Sequence, residues 1–126
     1  MSQILLVDDN AIQAATRKAI LTRAGRRVLI AESGAVALRM LANEEVAAQV
    51  ALIITDHLMP GMNGPEFVSR LREAMPEIPV VVLSGLPHAE AEYEADSVVF
   101  RMKPLVPDAL IRLVNEILDG SVAQSA

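Results

Sequence analysis

Four short, unbroken apolar runs separated by stretches of helical periodicity leave this chain little choice of architecture. They are Ile4-Leu5-Leu6-Val7, Ala51-Leu52-Ile53-Ile54-Thr55, Val80-Val81-Val82-Leu83 and Val98-Val99-Phe100-Arg101-Met102. A strand with one wet face alternates, whereas a run apolar throughout belongs to a sheet covered on both sides, as parallel sheets are. Each run ends in a polar residue or pair: Asp8-Asp9, Asp56, Ser84 and Lys103-Pro104. Parallel strands point the same way, so these ends share one edge, the edge at which open α/β sheets hold ligands.

At 126 residues the chain suits one domain. The expected body is residues 1–120, with 121–126 as a flexible tail. Apolar residues make up 52% of the chain, which is enough for a sizeable core. The net charge of −5 comes without a basic stripe, so direct nucleic-acid binding is not expected. With no cysteine, thiol chemistry and disulfides are excluded. No apolar stretch is bilayer-length and no basic-then-apolar leader opens the sequence, so a cytoplasmic location without membrane attachment is expected. Lys18 and Lys103 are the only lysines beside nine arginines, and Lys103 stands directly after an apolar run.

The chain reads as strand then helix, five times. Ile12, Ala15, Ala19 and Ile20 predict the buried face of a first helix ending near Gly25. Residues 28–31 form a second strand. Ser33 caps a helix carrying Val36, Ala37, Met40 and Leu41. The loop Pro60-Gly61-Met62-Asn63-Gly64 precedes a helix with Phe67, Val68, Leu71 and Met75. Between Leu86 and Asp96, Pro87 and four acidic residues predict a short or irregular helix. Pro107 opens a last helix with Leu110, Leu113, Val114, Ile117 and Leu118 on one face.

Asp8, Asp9 and Asp56 at one edge repel strongly. Two unit charges about 4 Å apart cost on the order of 4 kcal/mol at an effective dielectric near 20. Such a cluster calls for a compensating cation or for one of the acids to be protonated, and hard oxygen donors select Mg²⁺ or Ca²⁺. An aspartate can also accept a phosphoryl group. Asp56 suits that role, because it stands alone before a glycine-containing loop. Lys103 supplies positive charge and Ser84 a hydroxyl, the parts that phosphoryl transfer requires.

The segments LLVDDN, DHLMPGMNG, VVVLSG and FRMKPL, in this order, resemble the receiver domains of two-component response regulators over nearly the whole chain. The resemblance implies a flavodoxin-like (βα)5 fold, a doubly wound parallel sheet of order 2-1-3-4-5. It implies Asp56 as phosphoacceptor and Mg²⁺ as cofactor, held by Asp9, Asp56 and the Leu58 carbonyl directly and by Asp8 through water. It also implies Ser84 and Phe100 as the switch pair, Lys103 as partner of the phosphoryl oxygens, and a cis Lys103–Pro104 bond. The implied phosphodonor is a histidine kinase or phosphotransfer protein, and readout passes to a further protein target. The wording of the acceptor loop also fits a receiver from a hybrid histidine kinase.

Two departures stand out. The segment from Ser84 to Lys103 is short for the family, and Leu58 and Leu86 flank the acceptor where polar groups would orient a hydrolytic water. Slow loss of the phosphoryl group follows as an expectation. His57 and His88 read as partly exposed and solvent-facing neighbours, respectively. An aspartate-nucleophile phosphohydrolase is the enzymatic alternative, but it needs an acid two residues after Asp56, where Leu58 stands, and a cap insertion. A pseudo-receiver that binds partners without phosphorylation is the third reading.

Overall fold

In a computed structural model describing residues 2–120, the apolar runs become the largely buried strands β1 (Gln3–Val7), β3 (Val50–Asp56) and β4 (Val80–Ser84) and the edge strand β5 (Val99–Met102), whose Arg101 and Met102 are exposed against the expected burial, with β2 (Arg27–Ala31) at the far edge. All pairs are parallel, in the order β2-β1-β3-β4-β5. The register lines up the C-terminal ends. Val7 pairs with Ala31 and Thr55, Asp56 with Leu83, and Ser84 with Met102. The polar residues at or just past those ends therefore lie side by side, whatever their separation in sequence. The expected tail, 121–126, lies outside the described residues.

Alternation within each run divides the core in two. Leu5, Val7, Ile53, Val80 and Val82 face α2 (Gly34–Ala42) and α4 (Gly64–Ala74) through Ala37, Phe67, Val68 and Leu71. Ile4, Leu6, Ile54, Val81 and Leu83 face α1 (Ala11–Arg23) and α5 (Pro107–Asp119) through Ala14, Leu21, Leu110, Leu113 and Val114. The helix starts are fixed by side-chain caps. Asn10 accepts from the Gln13 amide at 2.9 Å, Ser33 from Val36 at 3.1 Å and Asn63 from Glu66 at 2.9 Å. Each such cap contributes about 1 kcal/mol. Gly120, in the left-handed region at φ 58°, ends α5.

Three local expectations are corrected. The buried face of α1 runs through Ala14 and Leu21, whereas Ile12 is 81% exposed and Ala15 and Ala19 face solvent. An extra helix, α3 (Glu44–Gln49), follows α2. Asn43 ends α2 and caps α3, accepting from Glu45 and Val46, and the two glutamates suit its N-terminus. The segment after β4 is a 3₁₀ helix over Pro87–Asp96, irregular as expected but anchored by buried Ala89 and Tyr93. Arg72 of α4 holds its far end, donating to the carbonyls of Asp96 (2.8 Å) and Ser97 (3.3 Å) while Nη1 reaches Ile78 O (2.7 Å).

Candidate functional site

The acids come from two neighbouring strand ends. Asp8 and Asp56 are buried, Asp9 is exposed, and one carboxylate oxygen from each lies within 4.8 Å of the others. Asp8 is held in place by the Asn10 amide, which donates to its Oδ1 at 2.9 Å. Burial, then a hydrogen bond to the Asp56 carboxyl, then the Asp56 charge raise Asp8 from 3.8 to about 6, against the Asn10 amide and the Arg17 charge. Three crowded carboxylates, of which Asp8 resists ionisation, are a donor set fitted to a hard divalent cation.

Two cationic side chains from different elements reach this cluster. Lys103 Nζ lies 2.9 Å from Asp56 Oδ1. The lysine backbone is tied down by its amide, which donates to Ser84 O at 2.8 Å across the β4–β5 edge. From α1, Arg17 Nη1 lies 3.1 Å from both Asp8 Oδ2 and Asp56 Oδ1. The Gln13 amide, turned nitrogen-first toward these acceptors, donates to Asp8 Oδ2 (3.0 Å) and Asp56 Oδ2 (3.2 Å). Neither Arg17 nor Gln13 is singled out by the apolar pattern. Their signal is the spacing of Ala14, Arg17 and Leu21 at i, i+3 and i+7, which sets an arginine on the inward stripe of α1.

Ser84 is buried at the end of β4, its Oγ accepting from the Leu86 amide at 2.9 Å. Leu58 and Leu86, each two residues after a strand-end site residue, are 66% and 36% exposed. The Lys103–Pro104 bond is cis. Phe100 is half-buried on β5 and packs against Tyr93, with ring centroids 6.2 Å apart. His88 is exposed, but His57 is not the partly open neighbour that its loop position predicts. Its side chain is buried, Nδ1 lies 2.6 Å from the Tyr93 hydroxyl, and Nε2 lies 3.4 Å from Glu92. Gly64 makes room for this pair, since a Cβ there would collide with the tyrosine hydroxyl.

The His57–Tyr93 bond joins the loop after Asp56 to the 3₁₀ segment. Burial foremost, with Glu92 and Asp96 nearby, keeps the phenol protonated well beyond its usual range, so it can serve as the donor. Tyr93→Phe is expected to lower stability by about 1–2 kcal/mol, because it strands a buried imidazole nitrogen. Urea melts would measure this, and a loss within experimental error would mean that the bond is dispensable.

A doubly wound parallel sheet of order β2-β1-β3-β4-β5 defines the class of CheY-like receiver folds. The profile of the response regulator receiver domain matches residues 4–115, and the chain belongs to that family. It is similar to the two-component response regulator ORR5 of Oryza sativa, being 33% identical over 120 residues, with 91% of this chain and 87% of that protein covered. Among solved structures it resembles the Vibrio cholerae chemotaxis protein CheY4 (28% identity, TM-score 0.83, covering 94% and 99% of the two chains). The signal receiver domain of a Syntrophus aciditrophicus histidine kinase is comparably similar (29% identity, TM-score 0.84, covering 97% and 93%). Among the described residues, no helix is long and apolar enough to cross a membrane.

Proposed function

We propose that this domain is a phosphorylation-dependent switch that takes a phosphoryl group onto Asp56 from a histidine kinase or phosphotransfer protein and signals through altered protein contacts. The carrying observation is the buried Asp56 carboxylate with a lysine ammonium 2.9 Å away and two further acids beside it. Residues 1–120 are taken as the receiver body. A carboxylate oxygen of Asp56 attacks the phosphorus of a phosphohistidine. The P–N bond breaks as the P–O bond forms, and the freed imidazole takes a proton. Lys103 pairs with the oxygens of the transferred group, and the Ser84 hydroxyl, released from the Leu86 amide, donates to one of them.

Mg²⁺ is the fitting cofactor. Asp9, Asp56, the Leu58 carbonyl and, through water, Asp8 would hold it, and when bound it supplies positive charge to the phosphoryl oxygens. Movement of Ser84 leaves space into which Phe100 turns, and its ring contact with Tyr93 carries that change to the 3₁₀ segment.

The test is intact mass after incubation with acetyl phosphate and Mg²⁺. A single added phosphoryl group is expected on the native chain and none on Asp56→Asn. With leucine side chains at 58 and 86, the adduct should persist for minutes or longer once donor is removed. Phosphorylation of the Asp56→Asn variant to the same extent as the native chain would overturn the assignment, and steady release of phosphate from phosphomonoesters would point to a hydrolase instead.

A further inference from the structure

We propose that Arg17 is a built-in competitor of the divalent cation, seated between Asp8 and Asp56 and setting the cation concentration at which the acid pocket loads. The inference rests on the phosphoacceptor reading above and concerns the control of that site. The geometry is specific. One guanidinium nitrogen, Nη1, lies 3.1 Å from Asp8 Oδ2 and 3.1 Å from Asp56 Oδ1, so it bridges two of the three acids that form the 4.8 Å cluster. Nη1 thus takes the place between Asp8 and Asp56 that an incoming cation would contest. Lys103 reaches Asp56 Oδ1 without touching Asp8, so it is compatible with a second cation in a way that Arg17 is not.

The arginine is placed there by the fold. It projects from the inward stripe of α1 between Ala14 and Leu21, and its side chain is only 13% exposed. One turn earlier, Gln13 donates to the other oxygen of Asp56 and to the same oxygen of Asp8. Together these donors satisfy the acids before any ion arrives, which lowers the gain from loading. The guanidinium also has somewhere to go. A cleft of about 440 Å³ opens beside it, lined by Arg17 itself with Thr16, Ile20, Lys103, Pro104 and Leu110. Cation entry thus exchanges one pairing of the acids for another and swings the arginine aside into that cleft.

Calorimetric titration with MgCl₂ near about pH 8, where the carboxylates are ionised, tests this on the native chain, Arg17→Met and Arg17→Lys. Methionine keeps much of the apolar stem while removing the charge. The Met variant is expected to bind Mg²⁺ at least about ten-fold more tightly. Its metal-free form should melt earlier and gain more in melting temperature on Mg²⁺ addition than the native chain does. The Lys variant, still cationic, should stay near the native affinity. In the native chain, the Arg17 Nε–H resonance should shift as Mg²⁺ is added. This readout needs no variant to fold. Equal or weaker Mg²⁺ binding by a folded Arg17→Met protein, or an Nε–H resonance unmoved by saturating Mg²⁺, would overturn the competition alone. Absence of Mg²⁺ binding by all three proteins at tens of millimolar would overturn it together with the metal part of the proposed function.

Discussion

Lys103→Met is expected to slow phosphorylation of Asp56 by acetyl phosphate by about 100-fold, the loss typical of removing one preorganised donor from a developing oxyanion. The ammonium sits 2.9 Å from Asp56 Oδ1, and its backbone is fixed by the bond to Ser84 O, so no reorganisation is needed as charge builds on the transferring group. Lys103→Arg should recover only part of the rate, because a planar guanidinium needs more room than a compact ammonium. The chain contains no tryptophan, so the time course is best followed by quenched intact mass. A Lys103→Met rate within a few-fold of native would remove the lysine from the transfer step. The side chain is 30% exposed, but it neutralises the buried Asp56 carboxylate, so the metal-free variant should lose stability and the rates are compared in saturating Mg²⁺.

The sheet was legible because double-sided burial writes itself as unbroken apolar runs, and its working edge because each run stops at a polar residue. That logic brings Asp8, Asp9, Asp56, Ser84 and Lys103 together. It is blind to residues whose burial contradicts their polarity. Arg17 sits on an inward helix stripe, yet a charge there reads as a gap in the apolar face, and the misplaced face through Ile12 and Ala15 follows from that gap. His57 and Tyr93 satisfy one another, so two polar atoms vanish into the interior. Neither residue alone predicts it, and only the Gly64 contact makes the pairing sterically possible. α3 has no fully buried residue and owes its start to Asn43 and two glutamates, a signal of capping and not of periodicity. The 3₁₀ segment was recognisable as irregular from Pro87 and its acidic residues, but its anchoring by Arg72 depends on carbonyls and leaves no mark in side-chain patterning.

The metal-free domain should grow less stable as pH rises through the Asp8 titration. Asp8 is raised in the folded state to about 6 from 3.8, by burial first and then by the neighbouring Asp56 carboxyl. The folded chain therefore binds this proton more tightly than the unfolded chain does. The resulting stabilisation is complete below the unfolded value and is lost as pH climbs through the folded one. A shift of this size corresponds to roughly 2–3 kcal/mol. The shift at Asp8 arises from its crowded surroundings, so the quantity belongs to the acid cluster as a whole. Asp8→Asn stays neutral throughout and keeps a side-chain oxygen for the Asn10 amide, although it weakens the link to Arg17. Urea midpoints in a chelator between about pH 4 and 8 should show the variant gaining on the native chain as pH rises, ending as the more stable of the two. Other groups shift both proteins alike, so the difference between them is the clean readout. Mg²⁺ added at the alkaline end should restore the native chain far more than the variant, because the ion relieves the repulsion that the asparagine has already removed. A stability difference that does not change across the window would mean that Asp8 is ionised in both states, and the crowding of acids that argues for a cation at this edge would lose its energetic support.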